Sequence, residues 1–309
     1  MRELTTKENQ STRCWSAKNA DELEDRGFTY VSDICPASDL SILRNALPRL
    51  FSDRAGLEEG MFYDMVALDP AAAPTLPTLL NPSNYARELR QLVCVERLTA
   101  IAKAQLGEDA VLNLEHAILK PALCGAPTPW HQDEAYRKEA EFQYRQLSFW
   151  IPLDDAVVES GCLHFIPGSN QGDVLPHRSY RNNSGVYALE CADPIGVESA
   201  CAVPVKAGDC VAHSGRTLHY AGPNRSPRPR FAYILEFEAP PIRMTQARQF
   251  AWHQHRNPPS KVARGRWLRS GGIFVEAFRR LRNGAFSLNR LQFEWRRSLR
   301  VLRSYFLWR

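Results

Sequence analysis

Gly125-Ala126-Pro127-Thr128-Pro129-Trp130-His131-Gln132-Asp133 is the stretch on which the reading of this chain turns. Its last three residues set an imidazole and a carboxylate two positions apart. In an extended strand, residues at that spacing project from the same side. Together they offer one metal ion a nitrogen and an oxygen. A further His brought in by the fold would complete a two-His, one-carboxylate facial triad, the ligand set of non-heme Fe(II) oxygenases, with the opposite face open. Alone, His-x-Asp also fits a surface strand with a charge pair, so the rest of the chain has to decide.

The 309 residues are 44% hydrophobic and 24% charged, as in an ordinary globular protein with enough length for a buried core. No stretch approaches the roughly 20 apolar residues of a transmembrane helix. Met1-Arg2-Glu3-Leu4-Thr5-Thr6-Lys7 is polar and lacks a signal-peptide core. The cysteines at 14, 35, 94, 124, 162, 191, 201 and 210 form no Cys-x-x-Cys pair. Neither a zinc ribbon nor a thioredoxin-like site is suggested, and free thiols in a reducing cytoplasm are expected. The net charge of +5 hides an asymmetry. Residues 242–309 hold 16 Lys and Arg against two acids, Glu276 and Glu294, which leaves 23 basic and 32 acidic residues for the acidic main body.

Three regions are expected: a flexible N-terminus over 1–20, a main domain over 21–240, and a basic, helical extension over 241–309. Phe28 to Ile34 alternates like a strand. Pro36 to Asp39 starts a helix with Leu40, Leu43, Leu47 and Leu50 on one face, and Pro48 is expected to end or kink it near Leu47. Residues 53–83 read as irregular. Tyr85 to Leu106 reads as one or two helices with Leu89, Leu92, Val93 and Val95 buried. Strands are expected at 111–120, 147–153, 162–166, 210–213 and 231–237. Residues 170–200 read as a long loop and a candidate lid. Many short strands behind a helical lead, with no βαβ alternation and no phosphate loop, predict a mainly β sandwich or barrel with helical support.

Four segments carry a family resemblance: Pro129 to Asp133; Phe149-Trp150-Ile151-Pro152-Leu153-Asp154-Asp155; Gly161-Cys162-Leu163-His164-Phe165-Ile166-Pro167-Gly168-Ser169; and Gly208-Asp209 followed by His219-Tyr220-Ala221-Gly222-Pro223-Asn224-Arg225-Ser226 and Arg230. In that order they resemble the phytanoyl-CoA dioxygenase family of Fe(II)/2-oxoglutarate-dependent oxygenases. The resemblance implies a double-stranded β-helix, or jelly roll. It implies His131, Asp133 and His219 as catalytic iron ligands, Arg230 as partner of the 2-oxoglutarate C5 carboxylate, and Trp150 as a pocket wall near the cosubstrate. A planar guanidinium reads a carboxylate in bidentate fashion and stays charged when buried, which suits Arg230 to that role. Lys120 is a further candidate contact for cosubstrate or substrate. Ala221 replaces a Ser frequent in the family, and Asn170 replaces a His.

Rival residues need placing. His213 competes with His219 but reads as a buried strand or pocket residue, and Arg225 competes with Arg230 but sits in a solvent-facing turn. His164 reads as a packed structural histidine. His116 could point into the cavity, Tyr136 and Arg137 could line the substrate entrance, and His253 and His255 read as surface. In the tail, Phe274, Val275, Ala277, Phe278 and Leu281, then Leu288, Leu291, Phe293, Trp295, Leu299, Leu302 and Phe306, alternate with arginines as amphipathic helices do. Such helices pack on the domain or dock an anionic membrane surface, an acidic or CoA-bearing partner, or nucleic acid.

The expected activity is hydroxylation of an unactivated C–H bond in a small molecule, a secondary metabolite or an acyl thioester. O2 and 2-oxoglutarate would be consumed and succinate and CO2 released. A carboxylate at 133 argues against halogenation, where related enzymes carry Gly or Ala. Two alternatives stay open: a cupin-like metal enzyme that does not use 2-oxoglutarate, and a silent family member acting as a binding or scaffold protein.

Overall fold

Ser16 and Asn19 set the first element. In the computed structural model, which describes residues 14–67, 73–254 and 256–282, their side chains and backbones cap one another and start helix α1 (Ala17–Arg26). This cap orders residues 16–20, contrary to the expected loose N-terminus; residues 1–13 lie outside the described residues. Gly27 closes α1 at φ 84°, a conformation glycine adopts freely. A Cβ there would meet Thr217 Oγ1 at 2.5 Å. The chain turns at once into β1 (Phe28–Val31).

Helix α2 (Ala37–Ser52) buries Leu40, Leu43, Leu47 and Leu50, the predicted face. It does not stop at Pro48. A proline inside a helix loses one backbone hydrogen bond and costs about 3 kcal/mol. Leu50 and Phe51, buried beyond it, each return about 1.5–3 kcal/mol, so the helix continues. Residues 53–83 are also more regular than expected. They supply β2 (Phe62–Asp64) and β3 (Pro77–Leu80), which add to a sheet edge and are too short to leave a period in the sequence. Helix α3 (Val93–Leu106) follows a 3-10 turn; Leu89 and Leu92 are buried, whereas Val93, at the first helical position, is 39% exposed.

The remaining strands are β4 (Val111–Lys120), β5 (Thr128–His131), β6 (Phe142–Pro152), β7 (Leu163–Phe165), β8 (His177–Ser179), β9 (Leu189–Cys191), β10 (Cys201–Val203), β11 (Cys210–Ser214), β12 (His219–Ala221) and β13 (Arg230–Arg243). The expected loop over 170–200 thus contains the β8–β9 hairpin. A seven-stranded sheet runs β1-β11-β6-β13-β4-β3-β2 and faces a four-stranded sheet, β10-β7-β12-β5. Every pairing is antiparallel, and the two sheets form the expected jelly roll. Period-2 alternation sorts the large sheet. Phe149, Ile151, Tyr233, Leu235 and Phe237 pack outward with α2 and α3. Trp150, Val211, Ala232 and Ile234 point inward, packing with Phe28 and Phe165.

The chain divides between Arg264 and Gly265 into two compact units. Residues 241–264, expected in the extension, belong to the first. There β13 runs on to Arg243, and helix α4 begins at Pro259 (Pro259–Trp267). The second unit holds α5 (Ile273–Arg282); the expected apolar positions from Leu288 to Phe306 lie outside the described residues.

Pro48 is exposed, so Pro48→Ala should restore a helical hydrogen bond without opening a cavity. The expected result is a gain of about 1–3 kcal/mol in urea unfolding. A loss would mean the ring itself holds the helix against its surroundings.

Candidate metal centre and cosubstrate pocket

β12 and β5 pair with His219 directly opposite His131. That register, rather than proximity in sequence, brings the two imidazoles together, with ring centroids 4.1 Å apart. Asp133 is not on the strand. β5 ends at His131, Gln132 remains extended, and Asp133 opens a 3-10 turn through Tyr136. The extended Gln132 still sends its neighbours to one side while its own side chain faces away. It donates to the Arg216 carbonyl at 2.7 Å and accepts from the Leu175 N–H at 2.8 Å.

The imidazoles are oriented from behind. Nδ1 of His131 bonds the Pro129 carbonyl at 2.8 Å, and Nδ1 of His219 bonds the Thr217 carbonyl at 2.9 Å. A carbonyl only accepts, so Nδ1 carries the proton and each Nε2 keeps its lone pair. Both Nε2 atoms face Asp133 Oδ1, at 3.5 Å from His131 and 3.7 Å from His219. The other oxygen, Oδ2, is held by the Ser148 hydroxyl at 3.0 Å and His213 Nε2 at 3.2 Å. One carboxylate oxygen thus faces the site and the other is anchored. Burial pushes Asp133 up, but the imidazoles of His219, His131 and His213 outweigh it and hold the carboxyl well below its usual range. Burial drives His219 down, so it stays neutral and able to donate its lone pair. This donor set fits a divalent iron.

Arg230 lies on the inner face of β13 and is 3% exposed. Its Nη1 has no partner, and its two contacts are long, 3.4 Å to the Ser160 carbonyl and 3.3 Å to the Gly161 carbonyl. Trp150 lies beneath it, 5.2 Å from the ring to the guanidinium carbon. Burial without an anion lowers its pKa to about 9. A buried guanidinium in that state is a seat for a carboxylate, as a dicarboxylic cosubstrate requires. Gly161 is part of the same wall: a Cβ there would come within 2.4 Å of the Gly222 carbonyl.

Lys120, expected to contact cosubstrate or substrate, has its ammonium elsewhere. Its three protons go to the carbonyls of Ala126, Ala221 and Gly222 at 2.7, 3.0 and 2.6 Å. None remains for a ligand, so Lys120 ties the wall together. Arg137, expected at the entrance, is half-buried beside Glu238 and Gln146. Tyr136 stands edge-on to His131 at 5.9 Å and accepts from the Leu189 N–H at 2.9 Å. His164 packs on Tyr220 and Arg225 is exposed, as expected. His253 is half-buried on the Arg137 carbonyl rather than at the surface; His255 lies outside the described residues. Asn170 donates to the Glu24 carbonyl at a turn.

Several contributors escape sequence reasoning. Ser148 and His213 are cross-strand partners on β6 and β11, a relation no local motif signals. Glu134, beside Asp133, is fixed by Arg248 at 2.8 Å, and Trp252 Nε1 donates to the Ala135 carbonyl at 2.9 Å. The segment after β13 therefore braces the turn that carries Asp133. Glu236 sits opposite Ser148 in register. Burial, then the Asp133 charge, pushes its carboxyl up to about 8, and burial brings the facing His116, at 3.5 Å, down to about 4. A cavity of about 700 Å3 lies on the outer side of Leu119 and Phe231 and does not touch the triad. Tyr63 and Tyr187 of its lining continue through Tyr136 to His131 as a row of rings 4.4, 6.0 and 5.9 Å apart.

With this geometry in view, the comparisons decide the family. The phytanoyl-CoA dioxygenase family model matches residues 23–232. The chain belongs to that family. A crystal structure of EvdO2 from Micromonospora carbonacea var. aurantiaca is 40% identical, with a TM-score of 0.67 over 77% of this chain and 96% of that one. A second crystal structure of EvdO2 contains 2-oxoglutarate. A probable alpha-ketoglutarate-dependent hypophosphite dioxygenase of Stutzerimonas stutzeri is 27% identical over 71% of this chain and 77% of its own length. A phytanoyl-CoA dioxygenase domain-containing protein 1 of Bos taurus is 36% identical over 45% of this chain, and the match spans about half, 48%, of that relative. The family uses Fe(II) and 2-oxoglutarate, and both the triad and the unpaired Arg230 suit them.

Two outcomes follow. His213→Ala should leave the fold intact but leave Asp133 Oδ2 held by Ser148 alone, weakening iron binding about 10–100-fold in an anaerobic titration. Glu236 supplies a pH signature. Its folded pKa stands above the ordinary 4.5, so the folded apoprotein binds more protons than the unfolded chain, and stability falls as pH rises from about 5 to about 8. Glu236→Gln should flatten that part of the decline in melting temperature; an identical pH slope in the variant would show that the carboxyl ionises freely.

Proposed function

We propose that the protein hydroxylates an unactivated C–H bond of a small, polar molecule, with His131, Asp133 and His219 holding iron and Arg230 holding the C5 carboxylate of 2-oxoglutarate. The observation that carries the reading is the buried guanidinium of Arg230 with its free Nη1, on the same inner sheet face as the residues that anchor Asp133. A cupin-like enzyme without 2-oxoglutarate has no use for such a group. A silent scaffold has no use for two imidazoles held in one tautomer around a carboxylate.

When bound, iron and 2-oxoglutarate supply the oxidising power for C–H cleavage, with succinate and CO2 as coproducts. The chain does the rest. The Pro129 and Thr217 carbonyls keep each Nε2 free to ligate. Ser148 and His213 hold Asp133 so that Oδ1 faces the site. Trp150 lies against the Arg230 guanidinium, and Lys120 ties the neighbouring wall. Three protein ligands on one side leave the other side for cosubstrate and O2.

The substrate class follows from the interior near the triad. His116, Glu236, Gln146, Tyr63 and Tyr136 are polar groups where a long acyl chain would need apolar walls. A polar secondary metabolite fits this wall better than an acyl thioester does. The eight cysteines are all free thiols, which supports a reducing compartment such as the cytoplasm. Among the described residues no helix is long and apolar enough to cross a membrane.

Anaerobic addition of Fe(II) and 2-oxoglutarate should give a weak visible charge-transfer band. His219→Ala should abolish it, and Arg230→Ala should weaken cosubstrate binding by at least about 100-fold, the range for losing a charged hydrogen-bonded pair. Asp133→Ala should end oxygen-dependent succinate formation. A folded, iron-loaded protein with no band would remove 2-oxoglutarate from the reaction.

A further inference from the structure

Among the described residues, one group besides the triad brings three metal-ligating atoms within 4.8 Å of one another: the thiols of Cys35 and Cys94 and the carboxylate of Asp39. They share no local motif. Cys35 lies in the link from β1 to α2, Asp39 in the first turn of α2, and Cys94 is the second residue of α3. Cys35 and Cys94 belong to the core on the outer side of the large sheet, with the residues that face α2 and α3. All three residues are buried, Cys35 4% exposed, Asp39 3% and Cys94 0%.

The backbone holds the group in place. The Cys35 N–H donates to the Gly208 carbonyl at 2.8 Å, at the turn before β11. Asp39 Oδ2 accepts from the Cys94 N–H at 2.8 Å. Helix α3 has no side-chain cap of its own, so Asp39 supplies one from the neighbouring helix. Capping accounts for one carboxylate oxygen and one N–H. It does not account for two thiols placed side by side and hydrogen-bonded to each other beside that carboxylate. Nor does it supply a cation: among the described residues Asp39 makes no ion pair. A buried carboxylate without one costs free energy that a bound cation would offset.

We propose that Cys35, Asp39 and Cys94 form a second metal site, selective for zinc(II), that clamps the first turns of α2 and α3 to the end of β1. On binding, the two thiol protons leave to solvent, two sulfur–zinc bonds replace them, and Asp39 adds an oxygen ligand. Thiolates are soft donors that favour zinc over magnesium or calcium. The triad offers only nitrogen and oxygen, so the two sites differ in the metal they prefer. Both helices present their N-termini to the cluster, and the positive ends of their dipoles favour thiolate and carboxylate there. The site is structural: it joins three segments that meet only in the fold, so metal affinity adds to the stability of the folded state. It stands apart from the oxygenase reading and does not depend on it.

The test is anaerobic titration of the reduced, metal-free, full-length protein with cobalt(II), followed by zinc(II). Cobalt should give the intense near-ultraviolet charge-transfer band of thiolate ligation, which nitrogen and carboxylate ligands do not produce, and zinc should displace it. His219→Ala should keep the band, which separates this site from the triad. Cys124→Ser, at the exposed cysteine, should keep it too. Cys35→Ala and Cys94→Ala should each abolish it. Asp39→Asn retains an oxygen to cap α3, so it should fold normally and bind zinc at least about tenfold more weakly, the minimum cost of losing even an outer partner of a metal. A folded wild-type protein without the band, a band that survives both cysteine variants, or unchanged zinc affinity in Asp39→Asn would each overturn the proposal. A Cys35–Cys94 disulfide formed in air with zinc present would overturn it in favour of a redox pair.

Discussion

The site depends on how one half-buried carboxylate is shared. Taking Asp133 out of water is costly unless its charge and lone pairs are met. Oδ2 meets Ser148 and His213; Oδ1 faces His131 and His219. This division fixes the carboxylate's rotation. Both sheets contribute to it, since Ser148 and His213 come from the large sheet and the imidazoles of His131 and His219 from the small one. The sandwich therefore has to be closed for the triad to exist.

Two buried cations on neighbouring strands show how the same interior serves structure and binding. Lys120 and Arg230 are opposite one another in register. The ammonium is satisfied by three carbonyls. The guanidinium is left largely open, a state that costs free energy until an anion arrives. An anion bound at the guanidinium would stabilise the folded protein by ordinary linkage. The same comparison explains why Lys120 is a poor ligand contact despite its position: a charge already hydrogen-bonded on all sides has nothing further to offer.

Bracing extends beyond the barrel. Arg248 on Glu134 and Trp252 on the Ala135 carbonyl pin the short turn that carries Asp133. A 3-10 turn has few hydrogen bonds of its own, so outside contacts must supply its rigidity. Residues after β13 thereby become part of the catalytic domain's mechanics, although nothing in their composition separates them from the basic segment downstream.

Local chemistry made much of this legible in sequence. His131 and Asp133 two positions apart marked a candidate ligand pair and alternation on β4, β6 and β13 marked a mainly β fold, because period-2 patterning and metal-ligand chemistry are properties of adjacent residues. The jelly roll and the candidate third ligand, His219, came from the resemblance carried by the four motif segments. Only the tertiary structure decided the rest. Opposition of His219 and His131, and of Glu236 and Ser148, is a matter of strand register, which no single strand encodes. Continuation of α2 past Pro48 followed from burial of Leu50 and Phe51 against a sheet that the helix sequence does not contain. β2 and β3 exist because β4 offers an edge. The commitment of Lys120 and the availability of Arg230 depend on which carbonyls the fold brings within reach, and that is settled by packing between segments about a hundred residues apart.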